Sequence, residues 1–479
     1  MSLRRAIRDR LLSRPAVLAA HAIALVVLSR LLSPADFGLF ALAAISHQIA
    51  VSLADLGIKS QLLKDPTLEP RRHGEAFGLA LASAMVVGGG FLFILLVLPE
   101  QIVPPSLDVT LWILAASVFL GPLELLFNIP LMQSMRFGLI STVNVFGAWT
   151  RCGVSILAAI YGAGPAALAA GLLAEQIVSF ALFACARQRQ AIPAPRITGW
   201  QTLIVDGTRL SGNQVIRHLC DLGILGAISS FLGVATLGVY NRADQVVKLF
   251  DKVFLNSMSP VIMPAFVQAI QNGHQPAAIY LKKVELLSAL TWPAFAAIAI
   301  LADPLCRVVL GPGWDAAPII VQLLALIGIA DAFTKMNQAL FIALGELRLG
   351  TRLDVLHHIT RVILATVGAF ISIEALCIAL VLAQIINVVR QTCAFGRTTG
   401  YNHKQFRNVL LSSALLAICT AGPAALALHL YTSEHAALQL LVASAAGIAG
   451  FVIAVIALRH MLFYEAQKAL KLIPWARPR

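Results

Sequence analysis

The chain has 479 residues, is 59% hydrophobic and only 12% charged, and carries a formal net charge of +13. Soluble domains carry about 25% charged residues, so the composition excludes a soluble globular protein and points to a polytopic membrane protein. It also excludes a nucleic-acid binder, which gathers basic charge on a solvated face, because here the charge falls between apolar runs.

Arg4, Arg5, Arg8 and Arg10 precede the first apolar run. No small-residue cleavage site follows and many further runs do, so this start reads as a transmembrane helix rather than a signal peptide. Stretches of about 20 residues, enough to cross the hydrocarbon core, are placed at 15–32, 36–58, 76–98, 107–128, 138–161 and 165–186. They continue at 207–231, 234–263, 284–302, 315–343, 355–373, 375–396, 409–430 and 436–458, fourteen helices in all. Of the 36 Lys and Arg, 25 lie in the termini and every second connection, whereas the intervening connections hold only Arg307. The positive-inside rule then puts both termini in the cytoplasm. Segment 264–283 reads as a surface linker and the basic, aromatic tail 459–479 as an interfacial helix.

An internal repeat organises the spans. Residues Leu32-Ser-Pro-Ala-Asp-Phe-Gly-Leu-Phe-Ala-Leu-Ala43 align with Leu232-Gly-Val-Ala-Thr-Leu-Gly-Val-Tyr-Asn-Arg-Ala243 at an offset of 200, with Leu, Ala, Gly and Ala in register. Both join an odd-numbered span to the next through an external turn. Two lobes related by a pseudo-twofold axis along the membrane normal are therefore expected: 1–206 with spans 1 to 6, 207–396 with spans 7 to 12, and 397–479 with an added helix pair and the tail.

Ten basic side chains lie inside spans: Arg30, Arg151, Arg209, Arg217, Arg242, Lys248, Lys252, Lys335, Arg361 and Arg390. Each costs about 2.5–3.5 kcal/mol at the bilayer centre, so few can face lipid. Setting aside the two outermost residues at each span end, where Asp36, Asp108, Glu285 and Asp315 sit, seven acids accompany them: Asp55, Glu124, Glu175, Asp221, Asp244, Asp251 and Asp331. Internal pairing cannot neutralise the surplus, whereas a phosphate or pyrophosphate can, through charge-assisted Arg contacts.

The seventh span carries Arg209, Asn213, Arg217 and Asp221 at four-residue spacing, widened by Gln214 and His218. Such a row stays on one side of a helix. The eighth carries Asn241, Asp244, Gln245, Lys248, Asp251, Lys252, Asn256 and Ser259 on one arc, with Val246, Val247, Phe250, Val253 and Phe254 opposite. Thinner stripes are Gln48, Ser52 and Asp55 in the second span and Asp331, Lys335 and Gln338 in the tenth. These faces fit a cavity in which Arg30, Arg209, Arg217, Arg242, Lys248, Lys252 and Lys335 hold an anion. Asp55, Asp221, Asp244 and Asp331 are candidates for ion coupling. The structural alternative is that Asp244 with Lys248, and Asp331 with Lys335, are satisfied i,i+4 pairs.

The seven cysteines form no C-x-x-C pair, and His357-His358 points to two sides of a helix, so no metal site or cofactor is expected. Gly88-Gly-Gly90 reads as close helix packing, and Pro122 and Pro293 as kinks.

The opening Arg30-Leu-Leu-Ser-Pro-Ala-Asp-Phe-Gly-Leu-Phe-Ala-Leu-Ala43, followed by Leu53-Ala-Asp-Leu-Gly57, resembles bacterial polysaccharide transporters of the O-antigen flippase type. These belong to the multidrug, oligosaccharidyl-lipid and polysaccharide exporter superfamily. Leu237-Gly-Val-Tyr-Asn-Arg-Ala243, Ser259-Pro-Val-Ile-Met-Pro-Ala-Phe266 and Ala343-Leu-Gly-Glu-Leu-Arg348 are similar to its second-lobe motifs. The resemblance implies a V-shaped two-lobed helical fold in the bacterial inner membrane. It also implies alternating-access export of a polyprenyl-pyrophosphate-linked oligosaccharide, with membrane lipids and polysaccharide export machinery as partners. Two other readings stand beside it, a multidrug or cation antiporter on the same fold and a membrane polysaccharide polymerase or glycosyltransferase. A basic surplus disfavours the first; short external loops without a convergent acid, base and metal cluster disfavour the second, so no enzyme is expected.

Overall fold

The computed structural model describes residues 3–64, 70–97, 105–134, 136–186, 194–250, 273, 275–335, 337, 340–341, 344–400, 403–431 and 435–457, and every regular element among them is helical. α1 (Leu3–Leu31), α2 (Pro34–Asp55), α3 (Ile58–Lys64), α4 (Pro70–Val97), α5 (Pro105–Val118), α6 (Gly121–Gln133), α7 (Phe137–Ile160) and α8 (Ala166–Cys185) come first. α9 (Trp200–Ala227) runs into a π turn, Ile228–Leu232, and α10 covers 234–250. α11 (Pro276–Ile300), α12 (Ala302–Val309), α13 (Ala317–Thr334), α14 (Leu347–Ala369), α15 (Ile373–Thr399), α16 (His403–Leu430) and α17 (Ala436–Ala457) complete the order. Described helices fall on each of the fourteen expected spans, and eleven are long and apolar enough to cross a membrane. The protein is an all-α, multi-pass membrane protein.

Several spans are interrupted where a continuous helix is expected. The second stops at Asp55 because Leu56 and Gly57 take left-handed backbone, φ 46° and 66°, and α3 restarts the chain in a new direction. The fourth divides around Phe119 and Leu120 into α5 and α6, with Pro122 in the first turn after the break. The tenth stops at Thr334 rather than 343. By contrast, α11 passes through Pro293 unbroken and starts at Pro276, so residues 276–283 are helix, not linker. Lys252, Asp251, Asn256, Ser259, Gln338 and the tail 459–479 lie outside the described residues.

Helix starts follow local chemistry. Ser33 caps α2: its hydroxyl accepts the Asp36 N–H at 3.3 Å, and Asp36 Oδ2 accepts the Ser33 N–H at 2.9 Å, a capping box completed by Pro34 in the first turn. Ser372 caps α15 by accepting the Ala375 N–H at 3.1 Å, and that helix ends on Gly400 at φ 66°.

By packing, the chain divides into residues 1–241 and 242–479. In the first unit α7 packs on α1 and α8, and α2 on α4, α5 and α9. Ile58, Leu62, Ala76, Leu79, Ala80, Ile129 and Leu203 form a buried cluster there. Packing thus keeps α9 with the first unit although the repeat groups it with the second copy. In the second unit α11 packs on α13 and α16, α15 on α13 and α14, and α16 on α17. Its aromatic centre stacks Tyr280 on Phe395 at 4.2 Å, with Phe341 edge-on at 5.8 Å.

Candidate functional site

α9 is anchored at its start. Gln61 Nε2 donates to the Leu203 carbonyl at 2.7 Å, and a Cβ on Gly207 would fall on the Leu56 carbonyl, so only glycine lets α9 approach the turn where α2 unwinds. Beyond that anchor the polar stripe begins. Gln214 and Arg217 are exposed, and Asn213, His218 and Asp221 half-buried. Asn213 Oδ1 and His218 Nδ1 are shielded and find no hydrogen-bond partner among the described residues. Buried polar atoms are normally paired, so this face of α9 carries unspent hydrogen-bonding capacity. Arg209 lies on the same helix, its side chain outside the described set. About two turns beyond Asp221 the helix widens into the π turn Ile228–Leu232, a distortion frequent at functional sites.

The two turns of the repeat meet within the first unit. A Cβ on Gly38 would fall on the Val234 carbonyl, and one on Gly238 on the Pro34 carbonyl. Arg30 is exposed in the last turn of α1, just before the first of these turns. On α2, Gln48 is exposed, Ser52 buried and Asp55 half-buried. His47, on the neighbouring face, is 5% exposed and meets Ser117 Oγ at 2.6 Å, binding α2 to α5.

On α10, Arg242 is 3% exposed and donates to Gln245 Oε1 at 2.8 Å. Asn241 and Gln245 are half-buried. Lys248 lies 2.6 Å from Asp244, and Lys335 3.1 Å from Asp331, so both i,i+4 pairs are formed. Gln384 Nε2 also donates to Asp331 at 2.6 Å. Arg151 likewise pairs with Glu175 at 3.2 Å, and Arg390 donates to Thr360 Oγ1 at 2.9 Å. Lys248, Lys335 and Arg151 are thus each held by a carboxylate on the same or a neighbouring helix.

One buried charge escapes the sequence pattern. Lys283, counted above within the linker, is 1% exposed in the second turn of α11. Its neighbours Tyr280, Val284 and Leu287 form an apolar row at helical spacing, and Gln384, Asn387 and Gln391 form a polar row on α15. Those two rows carry the signal that would have exposed the site.

Residues 27–319 match the family described as Polysaccharide biosynthesis protein. The chain is 23% identical over 308 residues to the succinoglycan biosynthesis transport protein ExoT of Rhizobium meliloti, covering 63% of this chain and 61% of that one. It is 21% identical over 303 residues to the teichuronic acid biosynthesis protein TuaB of Bacillus subtilis, covering 61% of each. It is 19% identical over 374 residues to the lipopolysaccharide biosynthesis protein WzxC of Escherichia coli, covering 76% and 75%. The match thus spans about three fifths of the length of the first two relatives. In fold the chain is similar to the lipid II flippase MurJ in an inward closed conformation, with TM-score 0.73, 14% identity and 95% and 98% of the two chains covered. An inward-facing multidrug resistance transporter of the MOP superfamily gives TM-score 0.55 at 14% identity, covering 83% and 94%. The family match covers more than half of the chain, whose fold is similar to that of these two solved transporters, and the protein belongs to the polysaccharide biosynthesis protein family.

Proposed function

We propose that the protein is a flippase that carries a polyprenyl-pyrophosphate-linked oligosaccharide across the bacterial inner membrane by alternating access, with both termini in the cytoplasm. The observation that carries this reading is the polar row of α9, with Arg217 exposed and with Asn213 Oδ1 and His218 Nδ1 shielded and unpartnered among the described residues, in a member of a polysaccharide biosynthesis family. Arg209, Arg217 and Arg242 are assigned to the pyrophosphate, with Arg30 at the external end of α1. Lys248, Lys252 and Lys335 add positive field; the first and last do so while paired with aspartate. Asn213, Gln214, His218, Asn241, Gln245 and Gln48 are assigned to sugar hydroxyls. The lobes of the transport cycle are the repeat halves 1–206 and 207–396, with 397–479 as the added pair. Asp55, Asp221, Asp244 and Asp331 are the carboxylates available for ion coupling.

The physical task is to keep a doubly anionic head group out of hydrocarbon, where an unpaired charge is prohibitively costly. Bidentate guanidinium contacts do this while the polyprenyl tail stays among lipid acyl chains. Relatives named for succinoglycan, teichuronic acid and lipopolysaccharide biosynthesis support a glycan cargo.

Proteoliposomes holding a fluorescent polyprenyl-pyrophosphate oligosaccharide test the reading. Protein-dependent movement between leaflets is the expected result. Uptake of fluorescent organic cations without movement of the glycolipid would instead favour a drug exporter on the same fold.

A further inference from the structure

α13 breaks inside the span allotted to it. Thr334 is its last residue, Lys335 leaves the helical region at φ −59° and ψ 135°, and helical geometry returns at Asn337. A helix end leaves carbonyl groups with no intrahelical donor, and hydrocarbon supplies no water to replace it. Two donors here are local: the Lys335 N–H reaches the Asp331 carbonyl at 2.9 Å, and the Thr334 hydroxyl reaches it at 3.5 Å. The third comes from another helix, where Lys283 Nζ donates to the Phe333 carbonyl at 3.3 Å.

The rest of the Lys283 shell is as specific. Its ammonium donates to Asn337 Oδ1 at 2.6 Å and lies 5.3 Å from the centre of the Tyr280 ring. Asn337 Nδ2 donates to Gln391 Oε1 at 2.7 Å, and Gln391 Nε2 to Asn387 Oδ1 at 3.2 Å. This chain of oriented amides leaves the Asn337 oxygen facing Lys283. Among the described residues no carboxylate lies within ion-pair distance of the ammonium. The nearby Asp331 is engaged by Lys335 and Gln384.

A main-chain carbonyl at the C-terminal end of a broken helix, an amide oxygen and an aromatic face, all dry, form a shell for a single positive charge. The helix dipole, the oriented amides and the ring quadrupole each contribute attraction without a counter-ion. Broken membrane helices present such carbonyls to inorganic cations. We propose that the Lys283 ammonium is a tethered cation occupying the monovalent-cation site made by the break after Thr334, so that this site is filled by the protein itself rather than by sodium or potassium. The proposal is independent of which glycolipid is carried.

Removing the tether would turn the site into one for free alkali cations. The test compares thermal unfolding of the purified full chain and of Lys283→Ala in sodium, potassium and choline chloride at equal ionic strength. Wild type should unfold at the same temperature in all three. Lys283→Ala should be least stable in choline and gain about 2–4 °C in sodium or potassium, the size of shift that occupancy of one site by mass action gives. A variant indifferent to alkali cations, or a wild type stabilised by them, would overturn the proposal. If Lys283→Ala does not fold, Asn337→Asp and Asn337→Leu decide it with the lysine in place. A charged ammonium keeps Asn337→Asp at or above wild-type stability while Asn337→Leu falls; equal losses would contradict a cation at this position.

Discussion

Gly38 and Gly238 sit 200 residues apart and pack reciprocally, each leaving room for the backbone carbonyl that opens the other's helix, Val234 for the first and Pro34 for the second. Those carbonyls are themselves 200 residues apart. The contact is reciprocal in the manner of an isologous pair, i meeting j′ and j meeting i′. The repeat is therefore a packing relationship as well as a sequence similarity.

Alanine at either glycine should be costly, because the added methyl meets backbone that cannot rotate away. Gly38→Ala and Gly238→Ala are each expected to lose about 1–3 kcal/mol of stability. Gly90→Ala on α4, where nothing lies within 4 Å of the added atom, should be neutral or slightly stabilising. Thermal unfolding in detergent reads all three, and comparable losses at the two repeat glycines with none at Gly90 is the expected pattern.

Asp331 joins Lys335 on its own chain segment to Gln384 on α15. The side chains of the pair are 28% and 24% exposed, so solvent screens it partly and the coupling is moderate. A double-mutant cycle with Asp331→Asn and Lys335→Met should give an interaction energy of about 1–3 kcal/mol. A value near zero would show that Lys335 adds nothing to the hold of Gln384 on Asp331.

Cys306 lies buried in α12, and burial, aided by the Asp303 carboxylate, pushes its thiol up to about 12. The thiolate is the reactive form, so almost none is present at neutral pH. Maleimide should leave Cys306 unmodified in the folded protein and label it only after denaturation, as peptide mapping would show. Rapid labelling of the native protein would mean that α12 detaches from its neighbours.

Much of this fold is written in local pattern. Hydropathy places the helices, and Ser33-Pro-Ala-Asp36 announces the start of α2. The spacing of Asp244 and Lys248 anticipates their ion pair. The break after Thr334 is different: Phe333-Thr-Lys-Met-Asn337 holds neither Pro nor Gly, and Gln384 and Lys283 hold it from other helices. Partners some 50 residues away in sequence leave no periodic trace at the break itself. Lys283 was hidden for a related reason. Hydropathy averaging moves a basic residue at a helix start into the preceding loop, whereas Pro276 marks where the helix begins. The stripe on α9 was visible as spacing, but its anchoring through Gly207 against Leu56 depends on a left-handed turn between α2 and α3 that spacing does not encode.

The cationic stripe is tested most directly by export of the lipid-linked oligosaccharide in cells whose only copy of the protein is Arg209→Ala/Arg217→Ala, present in the membrane at normal level. Export should fall by about tenfold or more, the equivalent of 1.4 kcal/mol of lost interaction, while precursor accumulates on the cytoplasmic leaflet. Undiminished export with no accumulation would contradict a pyrophosphate-binding role for these arginines.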